Sequence, residues 1–509
     1  MLKPTRLHAA FRILLLAICI VLLCARADRA QQSQMQAIEI DLRAASHSFP
    51  HSWERMFGSG RAILSLRCSY RSDLREVKQA TGMEYVRFHG ILNDEVGVYQ
   101  EDAEGKPVYN FSYVDQIYDG LLNNGVRPFV EFSFMPEKLA AEPVVVHPFW
   151  YKPIVSPPKS STRWADLVTH FAQHLIDRYG IDEVSQWYFE VWNEPNIDFW
   201  AGKPKDETYN QLYDRTAVAL KKVNARLRVG GPSTAQAAWI GRFIGHCVQN
   251  HVPLDFVSTH VYANDSAKDV FGTDETILRT EMVGRAIRKV HDEVKASAVP
   301  SVPIIVSEYN ASYKNETDVT DSLFMGPWIA NTIRQCDGLA DLLAFWTFSD
   351  VFEEQGVVKQ PFYGGFGLLA EDGLPKPSFN AFKLLHRLGS ERITVDSDSA
   401  IVTRRADGTL VMAIWNLFQP EQRGEPKSVT IVFKQLRGQH AAVISRLDAT
   451  HGSLFDAYAA MGRPVYPTGK QIQQLRRAGE LPPPERKPLR RGELTIVLPP
   501  QGLALIEIR

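Results

Sequence analysis

Two glutamates in this sequence, Glu194 and Glu308, each follow an apolar run at the point where a strand is expected to become a loop. Glu194 lies in VWNEPN, residues 191–196, and Glu308 lies in IIVSEYN, residues 304–310. Two facing carboxylates can cleave a glycosidic bond, because one protonates the leaving oxygen while the other meets the electron-poor carbon. The pair therefore predicts glycoside hydrolysis.

The separation of the two carboxylates decides the stereochemistry of such a reaction. A gap of about 5 to 5.5 Å lets one carboxylate attack directly with retention, whereas about 6.5 to 9.5 Å admits water and gives inversion. The sequence leaves both outcomes open. The acid must be protonated near neutral pH, and burial beside a like charge raises a carboxyl pKa in this way. Val191, Trp192 and Pro195 give Glu194 the apolar neighbours that this role needs.

Polar and aromatic side chains that follow other predicted strands are candidates for binding a sugar. A sugar stacks its apolar face on an aromatic ring and pairs its hydroxyls with polar groups. Asn193 is a candidate partner of the sugar 2-hydroxyl, and Trp346 is the candidate platform. The other candidate hydroxyl partners are His89, His260, Tyr262 and Glu354.

The sequence predicts no metal site and no cofactor. His170 and His174 have the i, i+4 spacing of helical zinc ligands, but the glutamate of an HExxH motif is missing. Both also lie off the apolar stripe of their helix, which favours a solvated face for them.

A parallel sheet is needed to bring these residues together, and residues 51–389 have the pattern of one. Short apolar runs alternate there with longer segments of helical period, as expected for an α/β protein with a (β/α)8 TIM barrel. The predicted strands are Trp53–Gly58, Tyr85–His89, Arg127–Phe134, Trp187–Trp192, Arg228–Pro232, Phe256–Tyr262, Pro303–Tyr309 and Leu342–Phe348. Because the carboxyl ends of barrel strands meet at one face, Glu194 and Glu308 can approach each other there.

Segments on either side of the barrel have different patterns. Residues 390–509 alternate in the β manner and predict a C-terminal β-sandwich, and residues 37–50 hold a strand that can join it.

Residues 1–27 resemble a signal peptide, with basic residues before an apolar run from Ile13 to Ala25. That run is shorter than the roughly 20 residues of a membrane-spanning helix. We therefore expect an exported protein, periplasmic or extracellular, without a membrane association after cleavage.

The charge balance excludes several classes of partner. Lys and Arg together number 57 against 58 for Asp and Glu, so no strong field attracts nucleic acid or an anionic membrane. The expected partner is a small neutral glycoside. The sequence does not indicate an oligomeric state.

Taken together, the motifs resemble glycoside hydrolase family 39 of clan A, the family of β-xylosidases and α-L-iduronidases. VRFHGIL, STHVY, WTFSDVFEE and YGGFGLLAEDGLPKPSFNAF carry the resemblance, which extends over nearly all of the mature chain. It implies a retaining enzyme with Glu194 as general acid/base and Glu308 as nucleophile. It also implies that the sugar is contacted or approached by His89, Asn193, His260, Tyr262, Trp346 and Glu354.

Within this resemblance, the predicted specificity is that of an exo-acting β-xylosidase on xylo-oligosaccharides. An iduronidase must hold a carboxylate, normally with a cation, and the strand-end motifs of strands four, six, seven and eight contain no Lys or Arg. Arg87 on the second strand is the exception, and it can equally be structural. The alternatives are a β-glucosidase, β-galactosidase, arabinopyranosidase or α-L-iduronidase on the same frame, or a non-catalytic sugar-binding barrel.

Overall fold

A closed barrel of eight parallel strands lies at the centre of the computed structural model, which describes residues 34–436 and 438–509. Barrel strands one to eight are Met56–Gly58, Tyr85–Arg87, Arg127–Phe132, Tyr188–Val191, Arg228–Thr234, Phe256–Tyr262, Ile304–Asn310 and Leu342–Phe345. The eighth strand pairs with the first, which closes the ring. This confirms the predicted barrel. The predicted signal peptide, residues 1–27, lies outside the described residues.

Helices surround the barrel because each has an apolar stripe that packs on the strands. The helix Ser161–Tyr179, for example, buries Trp164, Val168 and Phe171, and its first turn is capped by the side chain of Ser160. The α-helices of this part are Cys68–Ala80, Ser112–Leu122, Ser161–Tyr179, Ile181–Val184, Lys205–Val223, Ile240–Gln249, Ala267–Phe271, Met282–Lys295, Thr317–Thr320, Met325–Cys336 and Pro377–Leu385. Short 3-10 helices span Ala62–Leu66, Ala235–Ala237 and Glu371–Gly373.

Two sheets form the predicted C-terminal sandwich, and their facing apolar side chains make a separate core. The seven-stranded sheet has the spatial order Ser46–Ser48, Glu391–Ile393, Ala400–Arg404, Leu410–Asn416, Gly502–Ile508, Ala441–Leu447 and Glu485–Pro488. The three-stranded sheet contains Gln34–Asp41, Lys427–Lys434 and Glu493–Leu498. The segment 37–50 thus contributes to both sheets.

The remaining elements are small. Two antiparallel pairs join Tyr99–Glu101 to Pro107–Tyr109 and Leu369–Ala370 to Leu374–Pro375. Two helices, Phe455–Ala460 and Gly469–Ala478, lie between strands of the sandwich in sequence. Across the described ranges, no helix is both long enough and apolar enough to cross a membrane.

The sandwich and the barrel share one apolar contact surface. Trp415, Leu447 and Leu503 of the sandwich belong to the same buried cluster as Met325 of the barrel helix Met325–Cys336. Gly326 in that helix permits the close approach, since a Cβ there would lie 2.9 Å from Leu447 Cδ2. The sandwich therefore supports the helix between strands seven and eight, next to the strand that carries Glu308.

Candidate active site

The backbone at the end of barrel strand four directs Glu194 over the mouth of the barrel. Trp192 and Glu194 have left-handed φ angles of 71° and 44°. This conformation costs a residue with a Cβ roughly 1 to 2 kcal/mol and persists only where neighbours hold it. The Glu194 N–H donates to the Ser233 carbonyl at 2.8 Å, and the Trp192 indole donates to the Phe199 carbonyl at 2.7 Å. These bonds hold the turn in place.

Glu308 is directed inward by irregular pairing of barrel strand seven. The register of this strand shifts against strand six at His260 and against strand eight between Val306 and Tyr309. Such bulges re-aim side chains, and here two consecutive residues face the barrel interior. Ser307 Oγ donates to Glu190 at 2.7 Å, while Glu308 accepts from Arg87 at 2.6 Å.

The two catalytic candidates face each other across a short gap. One carboxylate oxygen of Glu194 and one of Glu308 lie within 4.8 Å of each other, and His260 Nδ1 is within the same distance of both. Only 8% of Glu194 and 4% of Glu308 is exposed. Barrel closure therefore brings together the ends of strands four and seven, as the sequence predicted.

Arg87 lies beneath this pair at the centre of a buried ionic network. Its guanidinium forms ion pairs of 2.6 Å with each of Glu131, Glu190 and Glu308. It also donates to Asn193 Oδ1 at 3.0 Å, and it has no exposed surface. Arg87 thus holds the nucleophile candidate and the neighbour of the acid candidate in fixed positions, and its charge is engaged by protein carboxylates.

The surroundings of Glu194 and Glu308 separate their proton affinities. Burial raises the pKa of Glu308, while Arg87, His89 and the Tyr262 hydroxyl, which donates to it at 2.6 Å, act to lower it. Burial, the charge of Glu308 and the charge of Asp265 raise the pKa of Glu194 well above its usual range, opposed by Arg87. A proton held by the pair therefore resides on Glu194, and Glu308 keeps the negative charge.

His260 lies next to Glu194. Its ring is fully buried and is not part of the cavity lining, so its predicted contact with a sugar stays a prediction. Its Nδ1 contacts Glu194 at 3.0 Å and its Nε2 contacts Ser233 Oγ at 3.3 Å. Burial and the charges of Arg87 and His89 lower its pKa well below its usual value, so the ring is neutral. His260 therefore positions Glu194 through a hydrogen bond between His260 Nδ1 and the carboxyl group.

A cavity of about 320 Å³ opens above the catalytic pair. The predicted residues that line it are His89, Asn193, Glu194, Tyr262, Glu308, Trp346 and Glu354. Trp346 packs directly on Gly58, where a Cβ would lie 2.0 Å from the indole. Burial raises the pKa of Glu354 to about 8, so this side chain is protonated at neutral pH and can donate to a hydroxyl.

Several residues of the site were not predicted from the sequence, and for Arg87 the sequence left the role open. The ionic network below Glu194 and Glu308 could have been found from charged residues that interrupt apolar strands. These are Arg87 in VRF, Glu131 in VEF and Glu190 in FEV. The remaining cavity residues lie on loops or in the short helix Ala235–Ala237, and all except Phe366 are outside the motifs quoted above. They are His147, Phe149, Ile197, Phe199, Ala235, Gln236, Asp265, Tyr313, Gln355 and Phe366.

Known proteins that are similar to this chain, by family model, by sequence and by structure, indicate one kind of enzyme. A family model described as glycosyl hydrolases family 39 matches residues 36–490. A beta-xylosidase of Geobacillus stearothermophilus is 37% identical over 90% of this chain and 93% of its own length. A beta-xylosidase of Caldicellulosiruptor saccharolyticus is also 37% identical, over 84% of this chain and 88% of its own. The crystal structure of a monomeric beta-xylosidase from Caulobacter crescentus CB15 superposes with a TM-score of 0.84 at 32% identity, covering 93% of this chain and 99% of that one.

Proposed function

Because this chain belongs to glycosyl hydrolase family 39 and is a glycoside hydrolase, we propose that it is a retaining exo-β-xylosidase. It releases terminal xylose from short xylo-oligosaccharides by double displacement. The observation that carries the proposal is the pair of buried carboxylates, with one oxygen of Glu194 within 4.8 Å of one oxygen of Glu308, in surroundings that raise the pKa of Glu194. An inverting enzyme needs a gap of about 6.5 to 9.5 Å to seat its water, so the shorter gap favours direct attack.

In the first step, a Glu308 oxygen attacks the anomeric carbon while the bond from that carbon to the leaving oxygen breaks. Glu194 transfers its proton to the leaving oxygen, and a covalent xylosyl-enzyme ester forms. Arg87 and the Tyr262 hydroxyl, both 2.6 Å from Glu308, hold the attacking carboxylate in one orientation. Asn193 lies in the cavity beside them and can bind the sugar 2-hydroxyl.

In the second step, Glu194 is ionised and takes a proton from a water molecule. The resulting hydroxyl adds to the anomeric carbon, and Glu308 leaves as a carboxylate. Two inversions at the same carbon give net retention. His260 remains neutral in both steps and keeps its hydrogen bond to Glu194, because burial disfavours its charged form.

The electrostatics of the cavity support a neutral sugar over a uronic acid. Its lining carries the negative charge of Glu308 and, above a pKa of about 7, that of Asp265, while Glu194 and Glu354 are protonated. The cationic His89 of the lining is paired with Glu131 at 2.9 Å. Arg87 is fully buried and engaged by protein carboxylates, so it does not offer a cation to a substrate. The cavity volume of about 320 Å³ lies at the small end of ligand pockets, as one deep exo subsite requires.

Export of the protein is also part of the proposal, and the pattern of residues 1–27 supports it.

The proposal is tested by following the hydrolysis of xylobiose with time-resolved proton NMR. We expect β-xylose as the first product, followed by slower mutarotation. A panel of aryl glycosides should show the highest kcat/KM for the β-xyloside. α-Xylose as the first product would contradict retention, and a preferred hexoside would contradict the xylosidase specificity.

The pH dependence of kcat/KM tests the protonation states. The basic limb should report loss of the Glu194 proton, and Asp265→Asn should move this limb to lower pH. Asp265 raises the pKa of Glu194 through its charge, so removal of that charge lowers the pKa of Glu194. Asparagine keeps an acceptor for the Tyr262 N–H, which Asp265 binds at 2.8 Å.

Asp269→Asn is the matched control for this measurement. Asp269 is an exposed acid four positions along the chain, outside the cavity. The basic limb of the Asp269→Asn variant should coincide with that of the wild type. An unmoved limb in Asp265→Asn, or an equal movement in both variants, would show that Asp265 does not tune Glu194.

A further inference from the structure

The mouth of the cavity lies between loops from opposite sides of the barrel. Strands three and seven are four places apart in a ring of eight, so the loops that follow them face each other. Tyr313 follows strand seven, while His147 and Phe149 lie in the long loop after strand three. All three side chains line the same cavity as the catalytic pair.

Tyr313 combines an exposed ring with a fixed backbone. It is 47% exposed, whereas Trp346 in the depth of the same cavity is 3% exposed. The Tyr313 N–H donates to Asn264 Oδ1 at 3.0 Å, and Asn264 Nδ2 donates to Ser312 Oγ at 3.1 Å. The ring meets Tyr262 edge-on, with centroids 6.1 Å apart at 85°. At the mouth of a sugar cavity, such a ring offers an exposed apolar face on which a pyranose can stack.

The wall across the mouth is also aromatic and rigid. His147 stacks on Phe199 at 3.8 Å with an angle of 13°, and Phe149 packs edge-on against the same ring. Burial lowers the pKa of His147 to about 4, so this wall is uncharged at neutral pH. The loop is tied down where the Trp150 N–H donates to the Glu354 carbonyl at 2.7 Å. The mouth is therefore a slot between two aromatic surfaces.

We propose that Tyr313 is the platform of the aglycone subsite, on which the second pyranose of the substrate stacks. This inference rests on the proposed function and deepens it, because it identifies the leaving group as a neutral sugar. A xylose held on Trp346 above Glu308 fills the deep end of the cavity. The sugar that leaves must then lie toward the opening, where Tyr313 is the most exposed aromatic side chain of the lining.

The chemistry of the slot fits a neutral pyranose. Its apolar ring face can stack on Tyr313, and its hydroxyls can pair with the amides of Gln236 and Gln355, which also line the cavity. Lys314 Nζ lies 5.4 Å from the centroid of the Tyr313 ring and covers one of its faces, which leaves the other for the sugar.

The test compares two substrates that differ only in the leaving group, β-xylosyl fluoride and xylobiose. The fluoride leaving group places no sugar in the slot, so Tyr313→Ala should change kcat/KM for β-xylosyl fluoride by less than about twofold. The same variant should lower kcat/KM for xylobiose about tenfold, the effect of losing one aromatic contact. Tyr313→Phe keeps the ring and should behave like the wild type on both.

Trp150→Ala provides the matched control. Trp150 is 54% exposed beside the same mouth, but it is outside the cavity lining, so its loss should leave both substrates unaffected. Equal losses on fluoride and xylobiose in Tyr313→Ala would show a structural effect through Tyr262, and no loss on xylobiose would exclude stacking. Both results would overturn the inference. Failure of the proposed function would be visible in the wild type itself, as no turnover of either xyloside.

Discussion

Replacing Glu308 with alanine is expected to lower kcat on an aryl β-xyloside by about 10⁴- to 10⁶-fold, the range found when a catalytic nucleophile is removed. The variant still has Glu194 to protonate the leaving group, but no carboxylate remains to attack the anomeric carbon. Azide is small enough to enter the space left by the Glu308 side chain and can attack from the same face. Sodium azide should therefore restore turnover and give an α-xylosyl azide, identified by NMR.

Glu354→Ala is the matched control for this rescue. Glu354 lines the same cavity and is similarly buried, but it does not face Glu194 across the short gap. Azide should leave the activity of this variant unchanged. A β-xylosyl azide from Glu308→Ala would assign the acid/base role to Glu308 instead. The absence of any xylosyl azide would show that Glu308 is not the nucleophile.

Replacing Arg87 with methionine is expected to lower both stability and activity. The guanidinium forms ion pairs of 2.6 Å with three buried carboxylates, and removal of one partner from a buried ion pair costs about 3 to 5 kcal/mol of unfolding free energy. Its charge also acts to lower the pKa of Glu308. Without Arg87, the pKa of Glu308 rises. As the pH falls, Glu308 is then protonated at a higher pH than in the wild type, so the acid limb of kcat/KM moves to higher pH. At pH 7 we expect a loss in kcat of about 10²- to 10³-fold, as for the removal of a preorganised donor.

Two further variants separate the electrostatic role of Arg87 from its contribution to folding. Arg61→Met removes another buried arginine, paired with Glu353 at 3.0 Å and outside the cavity lining, so it should lower stability without moving the acid limb. Arg87→Lys keeps the charge and should fold, with an acid limb nearer to that of the wild type. Urea unfolding and pH–rate profiles measure both effects. An unmoved acid limb in Arg87→Met would show that Arg87 does not control the charge of Glu308.

The position of the catalytic pair could be predicted because it depends on local patterns. Each barrel strand is a short apolar run between helices of regular period, and each candidate follows such a run directly. Glu194 and Glu308 were located in this way, and the parallel barrel then requires that they meet at one face. The cavity residues His89, Asn193, Tyr262, Trp346 and Glu354 follow strands by the same rule.

His260 and Arg87 show where local patterns are insufficient. His260 lies within strand six at a register shift, where it contacts Glu194 and is outside the cavity lining. The sequence left two roles open for Arg87, substrate binding or structure. Closure of the barrel decides between them, because it brings Glu131 and Glu190 from strands three and four to the same guanidinium.

The sequence by itself determined the barrel, its strand ends and the two glutamates, because hydrophobic period and turn chemistry are properties of neighbouring residues. Tertiary structure alone decided the gap between the carboxylates, the partners that place the proton on Glu194 and the aromatic slot at the mouth. Each of these depends on contacts between residues far apart in the chain, such as Arg87 with Glu308 or Tyr313 with Tyr262. Their distances arise from ring closure and from bulges, which have no local period to reveal them.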